Sequence, residues 1–202
     1  MAKILSDLKS TIIAGFVLAV VFLIALMLWH NSGFAPDTKE WWAFVFRWLH
    51  VLSGVMWIGI LWYFNFVQIP NMGKIPDEQK PAITGVIAPS ALFWFRWGAM
   101  STIVTGLILA WLNGYIVDAI AIGLTDGVPK HSAIGIGMWL GTIMWFNVWF
   151  IIWPNQKKAL GIVQVEAAEK AAAGRTAMLF SRTNTMLSIP MLYAMVAAQN
   201  LF

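Results

Sequence analysis

The sequence predicts an all-α integral membrane protein with five transmembrane helices. Helices two to five form a four-helix bundle built from a parallel internal duplication. Three observations lead there. Of the 202 residues, 60% are apolar and only 11% are charged, more apolar sequence than a soluble core absorbs. The apolar residues gather in runs of roughly twenty, the length that crosses a bilayer. Two stretches repeat: HVLSGVMWIGILWYFNFVQIPN over 50–71 and HSAIGIGMWLGTIMWFNVWFIIWPN over 131–155. Both open with His, place Gly four residues later, and continue through Met-Trp, Trp, Asn and Pro-Asn. Arg96 and Met100 follow the first copy as Arg182 and Met186 follow the second.

The elements follow in order. Residues 11–30 form the first span. Lys3 and Lys9 precede it as in a signal peptide, but the run is too long and Ala35-Pro36 suits cleavage poorly, so a retained anchor is expected. Residues 42–69 form the second span, ended by Pro70. Pro70, Pro76, Pro81 and Pro89 mark 70–90 as a loop with at most a short surface helix. The third span covers 91–113, and 114–130 is a loop with a short interfacial helix. The fourth span, 131–153, stops at Pro154. Residues 157–181 suit a helix lying along the surface, and 183–202 form the fifth span. The chain reads as one membrane domain, 1–202: anchor and outer loop 1–40, repeat one 41–113, repeat two 114–202.

Basic residues set the orientation. Ten of the thirteen Lys and Arg fall on the side holding the N-terminus and the 70–96 and 154–182 segments; only Lys39, Arg47 and Lys130 face the other. The N-terminus is therefore expected in the cytoplasm and the C-terminus in the periplasm of a bacterial inner membrane. Spans two and four then run in the same direction, so the repeats are parallel, unlike the inverted repeats of many transporters.

The candidate site is the outer end of the duplicated spans. His50, Gly54 and Trp57 share one helical face, and His131, Gly135 and Trp139 repeat it with the Trp one residue late. A Gly one turn below a His leaves room for a flat ring against the backbone. This pattern points to haem b between spans two and four, with His50 and His131 as metal ligands. Arg47, three residues before His50, is the candidate partner of a haem propionate. The plainer alternative has each His bonded to a neighbour or water near the headgroups. His30 ends the first span and has no repeat partner; it reads as an interface residue or a spare ligand. Deeper in, Asn65 with Arg96 and Asn147 with Arg182 are expected to brace the fold, each Arg bonding the Asn amide.

Much chemistry is excluded. Without cysteine there is no disulfide, iron–sulfur cluster, thiolate zinc site or covalently attached haem. The net charge of +4 lies at membrane edges rather than in a patch for nucleic acid. The apolar spans hold no Asp or Glu, against proton-driven transport. Repeated Met56, Met100, Met138 and Met186 sit in apolar runs where Met fills gaps, so copper is not indicated. Trp29, Trp41, Trp42, Trp111 and Trp153 suit an interfacial belt.

The runs RWLHVLSGVMWIGILWYFNFVQIP, FRWGAMSTIVTGLILAW, WFNVWFIIWPNQKKALG and SRTNTMLSIPMLY resemble the membrane domain of the bacterial PuuD-type urate oxidase (urate hydroxylase). The resemblance covers most of 42–195. It implies a multi-span domain that oxidises urate and passes electrons to cytochrome c, which in that family is a C-terminal domain. No CxxCH segment is present, so a separate periplasmic cytochrome c is the expected partner. The alternative is a cofactor-free structural or assembly subunit of a larger membrane complex or homo-oligomer, packed through its small residues.

Overall fold

The computed structural model describes residues 2–29 and 36–202. His30 lies outside the described residues. The chain divides into two compact units, Met1–Trp41 and Trp42–Phe202.

In the first unit, a short turn at Ala2–Leu5 precedes helix α1, Leu8–Trp29. Asp7 starts α1: its carboxylate accepts the Ser10 backbone N–H at 2.8 Å and the Ser10 hydroxyl at 2.6 Å, the geometry of an N-cap. These bonds, led by the Ser10 hydroxyl, hold the Asp7 carboxyl below the ordinary aspartate range. No residue of α1 is buried. A helix apolar on every side is suited to lipid rather than to one protein face.

The rest of the chain forms α2 (Lys39–Lys74), α3 (Lys80–Leu112), the short α4 (Ile116–Ile120), α5 (Pro129–Ala159) and α6 (Ala167–Asn200). Among the described residues no strand occurs, and α1, α2, α3 and α5 are long and apolar enough to cross a membrane. The second unit has a main core and a smaller cluster of Ala119, Ile134 and Ala198. In the main core, Trp57, Ile58, Leu61 and Phe64 of α2 meet Leu92, Phe95 and Ala99 of α3, Met144, Val148 and Ile152 of α5, and Met191 of α6. Phe64 meets Phe95 edge to face at 6.0 Å. Trp57 is 1% exposed and Leu61 is fully buried.

Three expectations change. The proline-rich 70–90 segment is mostly helical, with only a short break between Lys74 and Lys80. Pro76 lies in the break and Pro81 in the first turn of the helix that follows, while Pro70 and Pro89 are accommodated by widened turns. The π-helical segments Tyr63–Gln68, Ile83–Ile87 and Asn147–Ile152 each end two residues before a proline, Pro70, Pro89 and Pro154. Proline lacks an N–H and its ring collides with the carbonyl four residues back; a wider turn moves that carbonyl away and lets the helix continue.

Second, the predicted surface helix and fifth span form a single 34-residue helix, α6. The run AAEKAAAGRTAM is rich in strong helix formers, and nothing breaks it before Pro190. Helix α6 is not among the helices apolar enough to cross by composition: Glu169, Lys170, Arg175 and Arg182 lie in its first half, and Asn184, Ser188, Gln199 and Asn200 dilute the apolar residues of its second.

Third, the Asn–Arg braces are not formed. The Asn65 amide donates to the Ser181 hydroxyl at 2.8 Å, and that of Asn147 to Asn184 at 2.8 Å. Asn184 in turn donates to the Met144 carbonyl at 2.9 Å, and the Trp62 indole donates to Ser188 at 3.0 Å. Arg96 instead sits over Trp153, its Cζ 3.4 Å from the ring centre, and Arg182 is exposed. The polar face of α6 therefore pins α2 and α5 by hydrogen bonds from buried side chains.

Candidate functional site

His50 sits in α2 against α3. Its Nδ1 lies 2.9 Å from the Thr102 carbonyl and 3.2 Å from the Thr105 hydroxyl. A carbonyl only accepts, and the Thr105 hydroxyl already donates to Ser101 at 2.6 Å. Nδ1 therefore carries the hydrogen, and Nε2 keeps its lone pair. Gly106 makes the contact possible: a Cβ there would lie 2.8 Å from His50 Cε1.

His131 lies in the first turn of α5. Val128 is extended and Pro129 opens the helix at its first position, where a missing N–H costs nothing. Asp126, in the preceding turn, accepts the Val128 N–H at 3.1 Å through Oδ1 and binds His131 Nδ1 through Oδ2. The Val128 bond first, and His131 next, hold the Asp126 carboxyl below its ordinary range. Tyr115 covers His131, its ring 5.7 Å away and tilted 30°. Burial raises the Tyr115 phenol, and the charge of Arg47 partly offsets this. Arg47 itself is exposed. The Tyr115–His131 end thus lies within electrostatic reach of Arg47, one turn from His50.

The two copies differ beneath the histidines. Nothing lies within 4 Å of where a Gly54 Cβ would be, so space is open one turn from His50. Gly135 is closed in: a Cβ would lie 2.2 Å from the Ala119 carbonyl oxygen. Trp57 is buried in the core and its indole N–H has no partner among the described residues. Trp139 is 45% exposed and donates to the Ile120 carbonyl at 3.0 Å. Gly135 and Trp139 therefore hold α4 against α5, and Gly54 leaves room.

Among the described residues no hydrogen bond or ring contact joins His50 to His131. Both nevertheless share one feature: Nδ1 is anchored, and Nε2 has no hydrogen-bond partner among the described residues. That is how histidines that ligate metals are oriented, the second nitrogen being fixed by a carbonyl or carboxylate. Reading the sequence did not single out Thr102, Thr105, Tyr115 or Asp126. Asp126-Gly127 carried a signal, since that dipeptide marks a turn able to bring the carboxylate back over the helix start.

No curated protein and no solved structure matches the chain. A family model does, over a segment that includes Tyr115, Asp126, His131 and all of α6. Residues 115–200 match the Urate oxidase N-terminal family, the family the tryptophan-rich motifs resemble.

Proposed function

We propose that this is a haem b protein of the bacterial inner membrane that passes electrons from urate oxidation to a periplasmic c-type cytochrome. In this reading five helices span the bilayer, with the N-terminus cytoplasmic and the C-terminus periplasmic, and the last four are a parallel duplication. The π-helical segments before Pro70 and Pro154, in matching places of the two copies, support the duplication. The length of α6, about 50 Å at 1.5 Å per residue, supports a fifth crossing.

The observation that carries the reading is the pair of imidazoles with anchored Nδ1 and bare Nε2. Neutral imidazole is the donor haem iron takes, and the open space beside Gly54 suits the edge of a flat ring. A haem held there supplies reversible one-electron transfer. The chain's own residues do the rest. Thr102 and Thr105 fix the His50 ring, Asp126 and Tyr115 fix His131, and Arg47 offers a guanidinium for a carboxylate at the outer edge. The family match supports urate as the electron source.

The test is an absorption spectrum of the detergent-purified protein, oxidised and reduced. A Soret band is expected, lost in His50→Ala and in His131→Ala, and reduction is expected on adding urate. A colourless, iron-free but folded protein overturns the reading in favour of a cofactor-free subunit of a larger complex.

A further inference from the structure

The two histidines are anchored by partners of different charge. His50 donates to a backbone carbonyl and a hydroxyl, both neutral. His131 donates to a carboxylate. That carboxylate is itself fixed, with the Val128 N–H at 3.1 Å on its other oxygen. The neighbouring Asp118 accepts the Thr125 hydroxyl at 2.6 Å. The Tyr115 ring covers one side of the His131 imidazole. The turn from 115 to 128 thus brings two carboxylates, Asp118 and Asp126, within 4.8 Å of a His131 ring nitrogen, and only Asp126 is hydrogen-bonded to it.

We propose that Asp126 is a positioning residue that makes His131 the stronger electron donor of the two. A carboxylate accepting the Nδ1–H polarises that bond and pushes electron density toward Nε2. A neutral carbonyl does so less, so His50 is the weaker ligand. A more basic ligand stabilises oxidised iron over reduced iron, so Asp126 holds the reduction potential down. It also holds His131 in the tautomer that leaves Nε2 bare. The inference about potential rests on the haem reading; the inference about the tautomer does not.

The test uses the full chain in detergent. Redox titration of the visible bands is expected to move to higher potential in Asp126→Asn with the Soret band retained. Asp126→Glu, which keeps the charge, should lie between this variant and the parent protein. Thr105→Val, beside the other histidine, should move the potential less. An unchanged potential in Asp126→Asn, or Asp126→Glu behaving as Asp126→Asn, overturns the proposal. If Asp126→Asn does not fold, the Asp126→Glu comparison with Thr105→Val decides. If the parent protein binds no haem, the proposed function fails, and nitrogen NMR of the histidine rings decides the rest. His131 should then show a protonated Nδ1 and bare Nε2, mixed with the other tautomer in Asp126→Asn or Asp126→Glu. Identical His131 spectra in parent and variant overturn the positioning role.

Discussion

Adding one methyl group at each of the two repeated glycines should have opposite effects. At Gly135 the new Cβ would lie 2.2 Å from the Ala119 carbonyl oxygen and 3.1 Å from Ile122 Cα. Both obstacles are backbone, so no side chain can swing aside. Ordinary contact begins near 3.4 Å, so α4 and α5 must part by about 1 Å. Overpacking of this kind costs about 1–3 kcal/mol. Separation also stretches the Trp139–Ile120 hydrogen bond, adding about 1 kcal/mol. The total, about 2–4 kcal/mol, corresponds to a fall of roughly 5–10 °C in melting temperature for a domain of this size. At Gly54 nothing lies within 4 Å, and Ala is the better helix former by about 1 kcal/mol. Gly54→Ala should therefore be as stable as the parent or more so. Thermal unfolding in detergent, followed by size-exclusion fluorescence, measures both. If Gly135→Ala melts within a degree of the parent, the close packing of α4 on α5 is wrong. The same pair also probes the site: if a flat ring lies beside Gly54, that variant keeps its stability and loses Soret absorbance.

Four further outcomes are expected. Asn184→Ala removes a fully buried amide that bonds Asn147 and the Met144 carbonyl, and should cost about 1–2 kcal/mol in thermal unfolding; Asn200→Ala, exposed at the helix end, should cost little. Arg96→Ala loses the stacking on Trp153 and should destabilise by about 1–2 kcal/mol, with a change in Trp fluorescence; Arg96→Lys should recover only part of it. The Asp7 cap has a depressed pKa, so its contribution is present above the unfolded aspartate value and disappears as pH falls through the lower, folded value. The Ser10 amide proton shift should follow that titration and lose it in Asp7→Asn. Pro154→Ala restores a backbone N–H and should let Asn147–Ile152 tighten toward ordinary α-helix, seen as new amide protection at residue 154.

The apolar spans were legible because lipid imposes a length and a composition. The short helix α4 was also readable, from an apolar stretch between polar turns. The prolines misled for a physical reason. Pro70 and Pro89 are helix breakers in isolation, yet a π turn absorbs each, and no residue type announces such a turn in advance. The pairing of Asn65 with Arg96 failed because shared spacing in a repeat does not say which helix lies alongside. Asn65 faces Ser181, 116 positions away, and Arg96 faces Trp153. Around the candidate site, His50 and His131 were found from the repeat. Their anchors were not, since Thr102 acts through its backbone carbonyl and every residue has one. Asp126 lay outside the spans, where a carboxylate is ordinary.

A π turn holds one more residue than the α turn it replaces, so the helices of the second unit contain a spare residue at a known place. Removing one residue within Asn147–Ile152 should convert that segment to plain α-helix while residues 129–146 keep their facing. Removing one between His131 and Asn147 turns the outer end by about 100° against the inner end and carries His131 away from the 115–128 turn. The tolerance of these helices to deletions should therefore alternate along their length, permissive just before Pro70, Pro89 and Pro154 and strict toward the histidines. A deletion scan scored by surface-independent folding alone would reveal where the chain keeps its slack.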